Sequence, residues 1–186
     1  MRTTRALTMA VVAAVCSTVA SLGPAWADPP GTTAPGGFAN GEVEIVNDHA
    51  RKCLDVPGGS KTVSQPIQEW SCDGADNQLW RAPTFSDGVF ALVNVGSNLC
   101  LDIGANVPQD GGRVVQTPCD YWWYGTNVPT KQVWRWQSAQ GLGQWMVNVY
   151  SGLCLALSPN TSANGTAIVV GACSTTTAKY WHVQTG

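Results

Sequence analysis

Three cysteine pairs with the same internal spacing constrain this chain most. In each pair the second cysteine follows the first by 19 positions, and the pairs are Cys53/Cys72, Cys100/Cys119 and Cys154/Cys173. Equal spacing in three places indicates one unit repeated three times. We therefore predict three disulfides, one inside each repeat, at these pairs.

Other residues recur in register with the cysteines. An asparagine lies six positions before each first cysteine, a leucine follows it, an aliphatic residue comes two positions later and another lies 14 after it; a tryptophan closes each unit: Asn47, Asn94, Asn148; Leu54, Leu101, Leu155; Val56, Ile103, Leu157; Ile67, Val114, Ile168; Trp80, Trp134, Trp181. Trp134 lies 15 rather than eight positions after its cysteine, so the middle unit carries a seven-residue insertion within residues 120–130.

The composition between these landmarks predicts an all-β fold. Short runs of Val, Ile, Leu and Trp are broken by Gly, Pro and Asn, and long amphipathic helical patterns are absent. A unit of about 50 residues cannot bury its apolar face alone, whereas three units arranged around an axis can share one core. We predict repeats at about 41–84, 85–138 and 139–186.

The first 27 residues have the pattern of a secretory signal peptide. Arg2 and Arg5 precede a short apolar run, and Ala25-Trp26-Ala27 is an Ala-x-Ala cleavage site. Cleavage there removes the unpaired Cys16, so six cysteines remain in a chain that we expect to be secreted and extracellular. Residues 28–40, rich in Pro, Gly and Thr, are predicted to form a flexible leader.

The charge balance argues against two classes of partner. The chain has ten basic and twelve acidic residues, and the signal peptide removes two of the basic ones, which leaves a mature charge of 8 − 12 = −4. No basic run is present, so we expect neither nucleic-acid binding nor insertion into a membrane.

The segment QEWSCDGADNQLW, residues 68–80, contains Gln-x-Trp twice. Trp80 recurs in all three repeats, which predicts a core residue. Trp70 is matched by Thr117 and Gly171 instead. Because the scaffold does not require a ring at this position, we predict that Trp70 is a binding residue.

The CLDV and CLDI segments, the cysteine spacing and the QLW and QVW closings resemble the ricin B-type β-trefoil lectins, a group similar to family-13 carbohydrate-binding modules, over residues 41–186. The resemblance implies a β-trefoil around a pseudo-three-fold axis. It also implies ligands such as galactosides, xylan- or arabinan-type polysaccharides, or cell-surface sugars. The implied carbohydrate-binding residues are those that the first repeat alone keeps together: Asp55, Gln68, Trp70, Asn77 and Gln78.

The other two repeats keep less of this set. Asp102 and Gln132 persist in the second repeat and form a possible degenerate second site, but Thr117 and Lys131 replace the ring and the amide. The insertion brings the aromatic run Tyr121–Tyr124 here, either as a substitute stacking ring or as a flap or self-association surface; we leave these alternatives open. The third repeat has Ala156, Gly171 and Lys179 and is expected to be structural.

Catalytic motifs do not appear in this sequence. His49 and His182 are its histidines, and it has neither a Gly-x-Ser-x-Gly elbow nor a His-Glu-x-x-His motif. We therefore expect no enzyme activity, no cofactor and no metal. The alternative to a lectin is a trefoil that acts as a protein-interaction or inhibitor module, or as the targeting subunit of a separate enzyme or toxin chain.

Overall fold

The computed structural model describes residues 41–85, 88–104, 108–121 and 130–185. The predicted signal peptide (1–27), the predicted leader (28–40) and the aromatic residues Trp122, Trp123 and Tyr124 lie outside the described residues. The described strands are β1 (Glu42–Asn47), β2 (Cys53–Asp55), β3 (Gln68–Trp70), β4 (Trp80–Arg81), β5 (Val89–Phe90), β6 (Val93–Asn94), β7 (Cys100–Ile103), β8 (Gly112–Thr117), β9 (Trp134–Ser138), β10 (Gln144–Asn148), β11 (Cys154–Ser158), β12 (Ala167–Gly171) and β13 (Trp181–Gln184).

The strands fall into three similar sets, which confirms the predicted all-β trefoil. Each set has an opening strand, a β-hairpin and a closing strand; in the second set the opening strand is divided into β5 and β6. The hairpins are β2–β3, β7–β8 and β11–β12. Strand β12 also pairs with β3 and with β8, so the three hairpins adjoin one another. Within the described residues, no helix is both long enough and apolar enough to cross a membrane.

The recurring asparagines join each repeat to the one before it. Each lies opposite a closing tryptophan of the preceding repeat: Asn47 opposite Trp181, Asn94 opposite Trp80, and Asn148 opposite Trp134. Each Nδ2 group donates to two backbone carbonyls of that preceding repeat; for Asn94 these are the carbonyls of Asn77 and Leu79, at 3.0 and 3.3 Å. Since Asn47 reaches the third repeat, the chain of contacts closes into a ring.

The closing tryptophans form the centre of the core. All three are fully buried, as predicted. The leucine after each first cysteine and the recurring aliphatic residues pack with them in one hydrophobic cluster. The largest fully buried side chains are Trp80, Trp134, Trp181, Ile45, Leu54, Ile67, Leu92, Leu101, Ile103, Met146, Leu155 and Ile168.

The three predicted disulfides are confirmed as Cys53–Cys72, Cys100–Cys119 and Cys154–Cys173. Each first cysteine begins the first strand of a hairpin, and its partner lies two residues beyond the residue paired with it, as Cys72 lies beyond Trp70. The disulfide therefore fastens the open end of each hairpin.

Neighbouring hairpins are also joined by one side-chain contact that recurs with variation. The Asn164 side-chain oxygen accepts the backbone N–H of Ser71 at 3.1 Å, and the Asp110 carboxylate accepts that of Ala172 at 3.0 Å. Asn164 and Asp110 each lie ten positions after their first cysteine. At the third junction the corresponding residues are Val63 and Pro118. Proline has no N–H, so no acceptor is needed there.

Candidate functional site

The β2–β3 hairpin places three of the predicted site residues on one face. Asp55 lies directly opposite Gln68 in the strand register, and Cys53 lies opposite Trp70. Because side chains alternate along a strand, Asp55, Gln68 and Trp70 share the outward face of the hairpin. Leu54 and Glu69, the pair between them, face inwards and are fully buried.

Asp55 is held by three amide groups. Its Oδ1 accepts a hydrogen bond from Gln68 Nε2 at 2.7 Å, and its Oδ2 accepts from Asn77 Nδ2 at 2.7 Å and from Gln78 Nε2 at 3.1 Å. Only 2% of Asp55 is exposed. Burial raises the pKa of its carboxyl above 3.8, the hydrogen bonds from Gln68 and Gln78 lower it, and the nearby charge of Asp73 raises it. The result is an oriented acceptor at the bottom of a depression.

Gln78 supports Asp55 from below. It is fully buried; its Nε2 also donates to the Ser71 carbonyl at 3.0 Å, and its Oε1 accepts the backbone N–H of Asp73 at 2.9 Å. Both ends of its amide are therefore engaged with the protein. Of the five predicted residues, Gln78 positions the others rather than lining the surface.

Trp70 forms one side of the depression, with 41% of its surface exposed. The depression has a volume of about 380 Å³ and is lined by Asp55, Gly58, Gln68, Trp70, Asp73 and Asn77. An indole face beside a buried carboxylate offers both an apolar surface and a hydrogen-bond acceptor, the combination found in small-ligand sites.

A loop of the third repeat, residues 159–166, closes the other side of Trp70. A Cβ atom on Gly165 would lie 3.9 Å from the Trp70 ring and 3.8 Å from Gln68 Oε1. The Asn164 side-chain oxygen accepts from Lys52 Nζ and from the Ser71 hydroxyl, in addition to the Ser71 N–H. The first-repeat site is thus completed by a second repeat.

Two lining residues were missed by the sequence reasoning. Asp73 belongs to DGADN, which reads as a solvated turn, and its Oδ1 does accept the N–H of Ala75 two residues on. Gly58 follows Pro57 in a 3₁₀ turn with a φ of 59°, a conformation that glycine adopts easily. The turn after the CLDV segment was the available signal for Gly58, because Pro-Gly pairs mark turns at fixed places.

The comparisons with known proteins agree with this architecture. The sequence model of the ricin-type beta-trefoil lectin domain matches residues 41–181, about three quarters of the chain. The chain belongs to this family. No curated protein matches the sequence.

Solved structures similar to this ricin-type lectin include a designed protein and two natural ones. The designed three-fold symmetric protein ThreeFoil has 26% identity and a TM-score of 0.69 over 77% of this chain and 98% of its own. The Macrolepiota procera ricin B-like lectin, in complex with lactose, has 18% identity and a TM-score of 0.63 over 83% and 100%. The C-half of the earthworm R-type lectin, in complex with GalNAc, has 16% identity and a TM-score of 0.58 over 78% and 98%.

The second repeat of this ricin-type lectin brings Asp102 and Gln132 together as the sequence predicts. Gln132 Nε2 donates to Asp102 Oδ2 at 3.2 Å and to the Thr117 hydroxyl oxygen at 2.8 Å. Thr117, which stands where Trp70 does in the first repeat, gives its own proton to Asp102 Oδ2 at 2.8 Å. The carboxylate is thus capped by a small residue, without a stacking surface from Thr117. Tyr121, at the start of the insertion, contacts Phe85 edge-to-face at 6.1 Å.

The third repeat of the lectin has neither the carboxylate nor the ring. Ala156 is buried, and Gly171 has no side chain. Lys179 donates to the Ala172 carbonyl, which is the position that Gln78 and Gln132 contact in their own repeats through Ser71 and Pro118. Lys179 therefore keeps the structural half of the Gln78 role and loses the half that holds a carboxylate.

A possible metal cluster in the described part of the lectin is accounted for by the disulfide. Glu44 lies within 4.8 Å of the Cys53 and Cys72 sulfurs. Those sulfurs are bonded to each other, so neither is available as the thiolate that binds metals.

Proposed function

We propose that this protein is a secreted lectin that binds galactose-like or pentose-containing glycans, mainly through the first-repeat site, and has no catalytic activity. The observation that carries the proposal is the buried Asp55 carboxylate, held by three amide N–H groups beside the half-exposed Trp70 ring. The family membership supports the general function, and the geometry supports the choice of repeat.

The polar atoms left over in the site suit a ligand rich in hydroxyl groups. Because the Gln68 and Asn77 amides point their N–H groups at Asp55, their carbonyl oxygens remain as acceptors. Asp55 Oδ1 accepts one protein N–H, which leaves it a further lone pair. A sugar presents several O–H donors on one edge, and each good bond to a charged acceptor is stronger than a neutral one.

The Trp70 ring supplies the apolar half of the recognition. The C–H groups of a pyranose form a small apolar face that can stack on an indole with little loss of side-chain freedom. Galactose has an axial 4-hydroxyl, so one face keeps a broad C–H patch. The pentose-containing ligands, xylan- and arabinan-type, come from the resemblance to family-13 modules, which remains a prediction.

Calorimetric titration with lactose, xylobiose and an arabinan oligosaccharide, with mannose as a comparison sugar, tests the proposal. One stacked ring and three or four hydrogen bonds contribute about 1 kcal/mol each. After the cost of immobilising the ligand, a dissociation constant of about 1 mM is expected. Absence of binding to all of these sugars would favour the alternative, a protein-interaction module of the same fold.

A further inference from the structure

Glu69 is a buried acid placed between two residues of the sugar site. It lies between Gln68 and Trp70 on β3 but faces inwards, opposite Leu54, and is fully buried. Within the described residues, neither of its carboxylate oxygens has a hydrogen-bond partner. A buried charge without partners is costly, so the protonation state of Glu69 matters to the structure around it.

The third-repeat loop covers Glu69 directly. The backbone N–H of Glu69 donates to the Thr166 carbonyl, and the N–H of Gly165 donates to the Glu69 carbonyl, both at 2.9 Å. The same loop carries Gly165 against the Trp70 ring. Any change beneath the loop is therefore next to the ring that stacks on sugar.

The second repeat shows what this inward position requires. Gln116 occupies the place of Glu69, 16 residues after its first cysteine. Its Nε2 donates to the carbonyls of Ser60 and Thr62 in the covering loop, at 2.8 and 3.0 Å. Its Oε1 accepts from the Ser97 hydroxyl at 2.7 Å. The covering loop thus offers carbonyl oxygens to an N–H donor.

The equivalent loop residues above Glu69 are Thr161 and Ala163, and Ala50 replaces Ser97. Glu69 has no hydroxyl donor from Ala50, and the Thr166 hydroxyl, which lies nearby, is engaged with the Ala163 carbonyl at 2.7 Å. An ionised carboxylate has only acceptors, whereas a neutral carboxylic acid has one O–H donor. The neutral acid is the form that matches Gln116.

The charges around Glu69 are consistent with this assignment. Burial raises the pKa of Glu69 to about 7, and the positive charge of Lys52 and the Thr166 hydroxyl offset only part of that rise. Strand β2 contributes Asp55 on its opposite face, while the covering loop and β12 contain no ionisable side chain. Lys52 itself donates to Asn164 in the loop.

We infer that Glu69 is a positioning residue for Trp70, and that its neutral form holds the third-repeat loop against the ring by donating to a loop carbonyl. Ionisation turns the donor into a negative charge opposite carbonyl oxygens, which loosens the loop and the ring that it supports. The consequence for affinity rests on the proposed sugar site, whereas the movement of Trp70 does not.

The variant E69Q tests this, since glutamine keeps a donor at every pH. In the wild type we expect the Trp70 indole N–H signal in NMR spectra to shift with a midpoint near pH 7, and E69Q to show no such transition. If only the neutral form binds, lactose affinity falls up to about tenfold between pH 6 and pH 8 in the wild type. In E69Q the affinity stays constant over that range.

The variant Q116E is the matched control. It places the same acid under the first-repeat loop, away from Trp70, so it should weaken the fold above pH 7 and leave the Trp70 titration and lactose affinity as in the wild type. A Trp70 signal that does not titrate, or that titrates equally in E69Q, overturns the inference whether or not lactose binds. A normal Trp70 titration without lactose binding supports the inference and counts against the proposed function alone.

Discussion

The Trp80 indole N–H donates a hydrogen bond to the backbone carbonyl of Leu54 at 3.0 Å. The same bond joins the equivalent tryptophan and leucine in the other two repeats: Trp134 with Leu101 and Trp181 with Leu155. The core position therefore requires both the volume of the indole and its N–H group. This explains why tryptophan, and not another large apolar residue, closes every repeat.

The two Gln-x-Trp steps should separate stability from binding. Trp80→Ala is expected to lower the free energy of unfolding by roughly 3–5 kcal/mol, because it empties a large buried site. Trp70→Ala should change it by about 0.5 kcal/mol or less, as an exposed residue does. Denaturant melts followed by circular dichroism measure the first effect, and lactose titration of Trp70→Ala should give no detectable binding. Equal loss of stability in both variants would contradict the distinction.

Removing the carboxylate should abolish sugar binding in one repeat only. Asp55→Ala removes the acceptor of the site and leaves the buried Gln78 amide short of one partner, so we expect no detectable lactose binding and a loss of about 1–2 kcal/mol in stability. Asp102→Ala, at the equivalent place in the second repeat, is the control and should bind lactose as the wild type does. If Asp102→Ala loses binding and Asp55→Ala keeps it, the site has been assigned to the wrong repeat.

Acid should weaken binding without unfolding the protein through Asp55. Burial raises the pKa of Asp55 above its ordinary value of 3.8, so sugar affinity should begin to fall at a higher pH than for an exposed aspartate. For stability the sign is opposite: a raised pKa favours the protonated acid in the folded chain, so its contribution is complete below pH 3.8 and is lost as the pH rises. Lactose titration and thermal melts over the same acidic range measure both. The variant E69Q should keep this acid limb.

The asparagine that joins the first two repeats should be important for stability but not for binding. Asn94→Ala removes two donors to backbone carbonyls and the acceptor of the Ser97 N–H. Leaving these groups buried and unpaired should cost about 2–4 kcal/mol. Asn160→Ala, at an exposed position, is the control and should melt like the wild type. A melt of Asn94→Ala within 0.5 kcal/mol of wild type, the usual range for surface changes, would show that the ring of contacts is not needed.

Recurrence within the chain was sufficient to predict the parts that all three repeats share. Trp80, its two equivalents and the three disulfides occur once in every unit, so their roles follow from counting. Departure from recurrence indicated Trp70, and the structure places it on the exposed face of the hairpin. The same logic grouped Asp55 with Asn77, which the structure brings within 2.7 Å.

Contacts between repeats were beyond this reasoning, because it compares units and does not dock them. Ser71 and Asn164 are 93 residues apart in sequence, yet they share two hydrogen bonds beside the site. Gln78 looked like a ligand contact until its bonds to the Ser71 carbonyl and the Asp73 N–H were seen. Glu69 gave no signal at all, since its neutral form follows only from the loop that covers it.

The pairing of β1 with β13 has a consequence for biosynthesis. Glu44 lies opposite Gln184 and Asn47 opposite Trp181, so one edge of the first strand finds its partner only when the last strand has been made. During translation, or passage through a membrane as an unfolded chain, β1 must wait with that edge unpaired while the two later repeats emerge. Exposed strand edges invite pairing with other chains. A gene rearranged to begin at another junction between repeats would join β13 and β1 in sequence and turn this latest contact into one of the earliest.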